Sequence, residues 1–418
     1  MPSLEIVPEF PPSGGFTSAV KSSCSLLRQR ANISIEPESI RRLLFSPAFL
    51  TSFRRVSKSH GLVFPLNFPS ILSELNFLSI VCLLNFASGY RVPLHLQTGR
   101  GAWDNIRAFS FSLYLTSSTG EGDLLSARGM QNIGEQKVAE LMGVNVHVER
   151  PHDEIPGVTV GELRGPIYDL VKLVSATLTE TGQVLQENGY TDLGSFVLEA
   201  LKDGEVSQRV NGTGAGLNTT LEKLVRAIPA FRDMAVVDGQ PVYCFKKALL
   251  LIYAVTIRFG AGRSPTLPIP DISQTPIFTD NVIPSMLVHL GVVDLSNASH
   301  ALSSIFPEAN SAEKLNALLG EAPTKDASEV KLPPIEGPIL IPDQAYILRA
   351  AAVDACELIV QYARSLDPTF LTSYQGKDLS WIKDIKVPDL NTWLWAGAKD
   401  RTDYRELERF VLRDTAFF

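Results

Sequence analysis

Hydrophobic positions in this chain recur mostly at intervals of three and four, the spacing that places side chains on one face of an α-helix. In "PDQAYILRAAAVDACELIVQYARSL" (342–366), Ile347, Ala351, Ala355, Leu358 and Tyr362 share a face, while Arg349, Asp354 and Glu357 fall on other sides. The pattern predicts a helix with Asp343 as its N-cap after Pro342. "IYDLVKLVSATLTETGQVLQENG" (167–189) repeats the period and stops at Gly189, a suitable C-terminal cap. "LNFLSIVCLLNFAS" (75–88) and "KKALLLIYAVTIRF" (246–259) are apolar nearly all round and predict central, buried helices. Alternation of period two is rare: "VNVHVE" (144–149) and "VVDGQPVYCF" (236–245) are the strand candidates.

Between these elements, residues 1–15 are rich in Pro and Gly and are expected to be disordered. Residues 116–135 and 304–338 read as surface insertions. No internal repeat or clean linker divides the rest, so residues 16–418 are expected to form one mostly α-helical domain with few short strands. The run around 246–259 is too short for a membrane span. "MPSLEIVPEFPPSGGF" lacks the basic start and apolar core of a secretory signal.

Composition narrows the partners. With 45% hydrophobic and 20% charged residues in 418, there is ample material for a core. A net charge of −7 gives no basic footprint for a nucleic-acid polyanion. Cys24, Cys82, Cys244 and Cys356 are scattered, which suits a reducing compartment better than a disulfide framework. The expected location is the cytoplasm, with the nucleus open. A monomer with a small-molecule partner and no membrane or nucleic-acid contact is expected.

The familiar catalytic signatures are absent. "VNGTGAGLN" (210–218) looks like a phosphate loop, but no strand precedes it and no Gly-Lys-Ser/Thr follows, so a helix connection fits better. The six histidines show no metal-ligand spacing, and no metal or organic cofactor is expected. What stands out is polar groups inside apolar runs. Asn85 sits in "CLLNFASGYR" with Arg91 after a glycine turn, Lys246 and Lys247 open an apolar helix, and Trp393 and Trp395 flank Leu394. Asp280 lies in "TPIFTDNVIPSMLVHLGVVDL" (275–295), among Phe278, Val282, Ile283, Met286 and Leu287. Burying an ionised carboxylate there costs several kcal/mol unless it is paired. It is either a helix cap or a carboxylate held in a dry pocket. Carboxylate, amide, cation and aromatic surface together suit a nucleoside-like ligand carrying a phosphate.

In order along the chain, "SAVKSSCSLLRQRANISIEPESIRRL", "SELNFLSIVCLLNFASGYR", "IPAFRDMAVVDGQPVYCFKKALLLI", "IFTDNVIPSMLVHLGVVDLS", "YILRAAAVDACELIV" and "LNTWLWAGAKD" resemble the blocks of the queuosine salvage proteins, in their fungal form, over residues 17 to 405. Members of that family are queuosine 5'-phosphate N-glycosylases (hydrolases). The resemblance implies a compact helical fold similar to helix-hairpin-helix DNA glycosylases. It also implies cleavage of the bond between the 7-deazaguanine base queuine and ribose 5-phosphate, releasing queuine for tRNA modification. By position, Asp280 is the implied catalytic carboxylate, Phe278 lines the base pocket, and Lys246 is matched to the phosphate. Asn281, Lys247, Asn85, Arg91, Asp233, Asp389, Asn391 and Trp395 complete the implied substrate contacts.

The chain departs from the family pattern in places. Asp280-Asn281-Val282 stands for Asp-Tyr-Arg, and Asn391 stands where an aspartate is expected, with Asp389 as a stand-in. Ala396 replaces an acid, and Phe64-Pro65 replaces His-Pro, leaving His60 nearby. Asn391 and Ala396 support an alternative reading, a catalytically impaired relative that binds queuosine phosphate or queuine without turnover. A DNA glycosylase would fit the implied fold but conflicts with the acidic charge.

Overall fold

A helix with one apolar stripe needs a partner face, and here nearly every partner is another helix. The computed structural model describes residues 7–119, 122–260, 267–323 and 333–418. In chain order the helices are α1 (Phe16–Arg30), α2 (Pro37–Leu44), α3 (Pro47–Val56), α4 (Ile71–Leu83), α5 (Arg91–Thr98), α6 (Ala102–Ser118), α7 (Ala127–Gln131) and α8 (Glu135–Met142). A hairpin of β1 (His147–Pro151) and β2 (Thr159–Leu163) follows, then α9 (Pro166–Glu187), α10 (Leu193–Asn211) and α11 (Ala215–Ala227). A second hairpin, β3 (Met234–Val237) and β4 (Gln240–Tyr243), leads into α12 (Lys246–Phe259) and α13 (Val282–His289). The last helices are α14 (Ala312–Leu319), α15 (Pro342–Ser365), α16 (Pro368–Ser373), α17 (Val387–Asp400) and α18 (Thr402–Glu406).

The fold is mostly α, as the periodicity predicts. Helix α4 packs on α10 and α12, α1 on α15, and α13 on α15 and α17. The two runs expected at the centre are there: Leu75 to Leu83 is buried without a break, and α12 begins and ends on the predicted residues. Helix α9 ends at Glu187, and Gly189 takes a left-handed φ of 77° while the Tyr190 N–H returns to the Leu185 carbonyl. Residues 210–218 are indeed a helix connection, closing α10 and opening α11.

Several expectations are corrected. Helix α15 is capped at Ile341, whose N–H donates to the Gln344 side chain, and Asp343 sits in the first turn instead. Arg349 and Asp354 are buried, because α15 is enclosed on all sides from Ala345 to Cys356. Both charges are paired, Asp354 with Arg28 at 2.9 Å and Arg349 with Asp233. Asn85 lies beyond the end of α4 and is partly exposed. The 236–245 candidate is two strands, because Asp238 and Gly239 both take positive φ and form a two-residue hairpin turn. The candidate at 144–149 forms only from His147, paired with a strand that lacks a clear period-two pattern.

Of the N-terminal segment expected to be disordered, residues 7–15 are fixed, and residues 1–6 lie outside the described residues. Ser13 and the Gly14 N–H bond to Glu222, Tyr243 donates to the Glu9 carbonyl, and Phe10 lies under Arg226. Residues 116–135 are no mere surface excursion: Leu125, Ala127, Met130 and Ile133 are buried, with α7 against α9. Positions 120–121 lie outside the described residues. Within 304–338, Phe306, Leu318 and Leu319 are buried, and Tyr404 donates to the Leu318 carbonyl. Positions 324–332 lie outside the described residues. Among the described residues, no single helix is long and apolar enough to cross a membrane.

Candidate active site

Asp280 sits on the turn that enters α13. Its Oδ1 accepts from the Val282 N–H at 2.8 Å, two residues on, closing a turn just before the helix, whose N-cap is Asn281. Its Oδ2 accepts from Ser88 Oγ at 3.0 Å and lies 3.7 Å from Lys246 Nζ. One oxygen thus serves the backbone and the other faces an ammonium. Burial alone would raise the Asp280 pKa. The charge of Lys246, the Val282 N–H and Ser88 outweigh it and hold the carboxyl below its ordinary value.

Lys246 opens α12 with its side chain turned inward, 2% exposed. Its Nζ donates to the Asn85 carbonyl at 2.8 Å. Burial pushes its pKa down to about 8, against the pull of Asp280. Asn85 thus contributes its backbone oxygen to the pair. Lys247 points elsewhere: its amine lies over Phe86 and Phe417, 4.8 Å and 5.9 Å from the ring centroids, without a hydrogen-bond partner among the described residues. Burial pushes its pKa well below the usual lysine value.

Asp233 has no oxygen left for a ligand. Oδ1 accepts from Tyr346 and Arg349, both at 3.0 Å, and Oδ2 accepts from Arg349 Nη2 and the Lys246 N–H. Arg349 also donates from Nε to the Thr279 carbonyl at 3.0 Å. One buried ion pair therefore holds the residue before Asp280 and the amide of Lys246. Such a pair is costly to desolvate, so full satisfaction of its donors and acceptors is what makes it tolerable.

Two more assigned residues face the protein's own backbone. Asn281 donates to the Phe410 carbonyl at 2.8 Å, and Asn391 accepts from the Phe278 N–H at 3.2 Å. Phe278 meets the ring of Tyr253 at 5.1 Å. Asp389, raised in pKa by burial, lines a cavity of about 420 Å³ with Tyr253, His60, Ile257 and Ile272. None of the groups bonded to Asp280 lines that cavity. Trp393 is core, donating to Ser52, whereas Trp395 is half-buried, edge-on to Trp103, with Lys399 Nζ 3.6 Å from its ring centroid.

Arg91 belongs to a group of cations that sequence reasoning saw only in part. Its Nη2 donates to the Arg405 carbonyl, and burial lowers its pKa. Arg409 is 7% exposed, donates to the Ala398 carbonyl, and leaves Nε without a partner among the described residues. Burial and Arg91 push its pKa down to about 9, with Asp280 pulling the other way. Lys399 is pushed down to about 8 by burial, with Asp104 and Asp280 opposing and Arg409 reinforcing. None of the three forms a salt bridge to a carboxylate among the described residues. Lys399 and Arg409 follow the Trp395 block, in stretches where a lysine or arginine is unremarkable. Only the folded chain shows them beside Asp280.

The C-terminal segment packs against residues 338–340 and the turn at Gly89. Val411 bridges to residues 338–340, Arg413 donates to the Gly89 carbonyl, and Phe410 and Phe418 are buried. A Cβ on Gly89 would lie 1.9 Å from the Leu412 carbonyl oxygen, so only glycine permits this approach.

The family model for the queuosine salvage protein matches residues 172–305, the stretch that carries Asp233, Lys246, Lys247, Phe278, Asp280 and Asn281. A queuosine 5'-phosphate N-glycosylase/hydrolase from Sphaerobacter thermophilus is 26% identical over 153 residues. That match spans 36% of this chain and 42% of the relative, so less than half of the relative's length is covered. Over residues 172–305, the chain is therefore similar to the queuosine salvage proteins.

Proposed function

We propose that this chain hydrolyses the N-glycosidic bond of queuosine 5'-phosphate and releases queuine for salvage into tRNA modification. The observation that carries the reading is the Asp280 carboxylate, buried yet kept ionised, with one oxygen facing Lys246 and Ser88. Breaking a glycosidic bond builds positive charge on the sugar's anomeric carbon. At an effective dielectric near 20, a carboxylate about 4 Å away stabilises that charge by roughly 4 kcal/mol. If realised only in the transition state, this is about a thousandfold in rate. Phe278 and Tyr253 supply aromatic surface for the base.

The 5'-phosphate is supported by Arg91, Lys399 and Arg409. Arg409 is buried and Arg91 and Lys399 are partly buried, and among the described residues none has a carboxylate partner; desolvated cations are costly unless an anion joins them, and a phosphate dianion answers that need. Asp280 and Lys246 are only 7% and 2% exposed, so the nucleotide reaches them only if neighbouring structure opens. Incubating the purified protein with queuosine 5'-phosphate and detecting queuine by mass tests the proposal. Binding without queuine release would identify the impaired relative instead, and neither binding nor release would discard both readings.

A further inference from the structure

Lys246 is an unusual neighbour for a carboxylate meant to face a sugar cation. An ammonium 3.7 Å from Asp280 would oppose the charge building on the anomeric carbon if it stayed protonated. Arg91, Lys399 and Arg409 already supply positive charge for a phosphate, so Lys246 is not needed as a further anion ligand. Among the described residues its Nζ donates to one carbonyl, that of Asn85, and it reaches the same oxygen of Asp280 that Ser88 does. Amine and carboxylate are therefore immediate neighbours, close enough for a proton to pass between them. The charged groups acting on the amine are Asp280, Asp233, Arg349 and Lys247.

Resting on the hydrolase reading, we propose that Lys246 is the nucleophile: its amine captures the anomeric carbon of the substrate and carries ribose 5-phosphate as a Schiff base. The step balances without an added oxidant or reductant. The Nζ lone pair forms a bond to C1' as the bond from C1' to the base nitrogen breaks. The departing base keeps that electron pair and takes a proton from water. Asp280 accepts a proton from the alkylated amine. Nitrogen then expels the ring oxygen, which takes the proton back from Asp280, leaving an iminium and an open-chain sugar. Water adds to the iminium carbon, and collapse of the carbinolamine returns the free amine and aldehydic ribose 5-phosphate. Asp280 acts here as proton relay and as stabiliser of the cationic carbon. Burial supports the chemistry, because it pushes the Lys246 pKa to about 8 and gives a usable fraction of neutral amine near neutral pH.

The test is reductive trapping of the unaltered protein. Queuosine 5'-phosphate is added with sodium cyanoborohydride, queuine release is followed by mass, and the protein is mapped by peptide mass. The expected result is queuine release together with a reduced ribose 5-phosphate adduct on Lys246, absent in Lys246→Arg. The trapped fraction should rise severalfold from pH 7 to pH 9, as the amine loses its proton. Queuine release with no adduct, or with the adduct on Lys247 or Lys399, overturns this inference and leaves the hydrolase reading standing. A trapped fraction that does not rise with pH also overturns it. No queuine release at all rejects the hydrolase reading, and the nucleophile falls with it.

Discussion

Asp280 carries two duties on two oxygens, and substitution separates them. Asp280→Asn keeps an oxygen for the Val282 N–H but removes the charge beside Lys246. Turnover of queuosine 5'-phosphate should fall by about two to four orders of magnitude with KM little changed. The melting temperature should fall too. From the sequence alone Asp280 is an isolated buried charge whose loss would be harmless, but the folded chain pairs it, and asparagine strands an ammonium. Near-parent kcat would place the catalytic carboxylate elsewhere. Lys399 tests the cation group through pH. Its amine titrates near 8 in the folded chain against 10.5 when free, so between those values the unfolded state holds more protons and stability rises with pH. Lys399→Met removes that liability. The variant should melt higher than the parent at pH 7, and the gap should close by about pH 10; a gap independent of pH would mean Lys399 is not desolvated.

At the scale of elements, the C-terminal segment is the piece whose placement depends on a single glycine. Gly89→Val should push Leu412 off its seat, lower the melting temperature by several degrees and raise KM, because the C-terminal rings over Lys247 and Arg349 no longer seat. A variant that melts and turns over like the parent would show that their seating is not set by this contact. The helices themselves were readable: α9, α12 and the heart of α4 follow from apolar spacing and a terminal glycine, which are local signals. The charges inside α15 were not. Arg349 and Asp354 look like the polar side of an amphipathic helix, and nothing local says that α1 and the β3–β4 hairpin will enclose that side and bring partners. The same limit applies to the site. Asp280 and Lys246 announce themselves as charges in apolar runs, while Arg409 and Lys399 acquire meaning only when α17 and the C-terminal segment fold back beside α13. Ser88 is equally silent in sequence, one hydroxyl in a glycine-containing turn.

The whole molecule is acidic, with a net charge of −7, yet it gathers uncompensated cations around its site. Attraction for a phosphate is therefore local, and ligand binding should repay the fold. Ribose 5-phosphate at about a hundred times its Kd should raise stability by about 2.7 kcal/mol, seen as an upward shift in melting temperature. Arg409→Met should shrink that shift, and free ribose should produce none. A shift of equal size with ribose would remove the phosphate from this pocket. The Asp233–Arg349 pair reaches further still, because the same two side chains fix Thr279 on one side and Lys246 on the other. Mutational routes through these positions are correspondingly narrow. Asp233→Asn or Arg349→Met alone leaves a buried charge without its counterion and should cost about 3–5 kcal/mol. Made together they remove both charges, so the double variant should recover much of the melting temperature, but it should not recover turnover, because the struts on either side of Asp280 and Lys246 are gone. Stability can be bought back at these two positions by a second substitution; activity has no such detour, and a lineage that takes one step there must either return or lose the reaction.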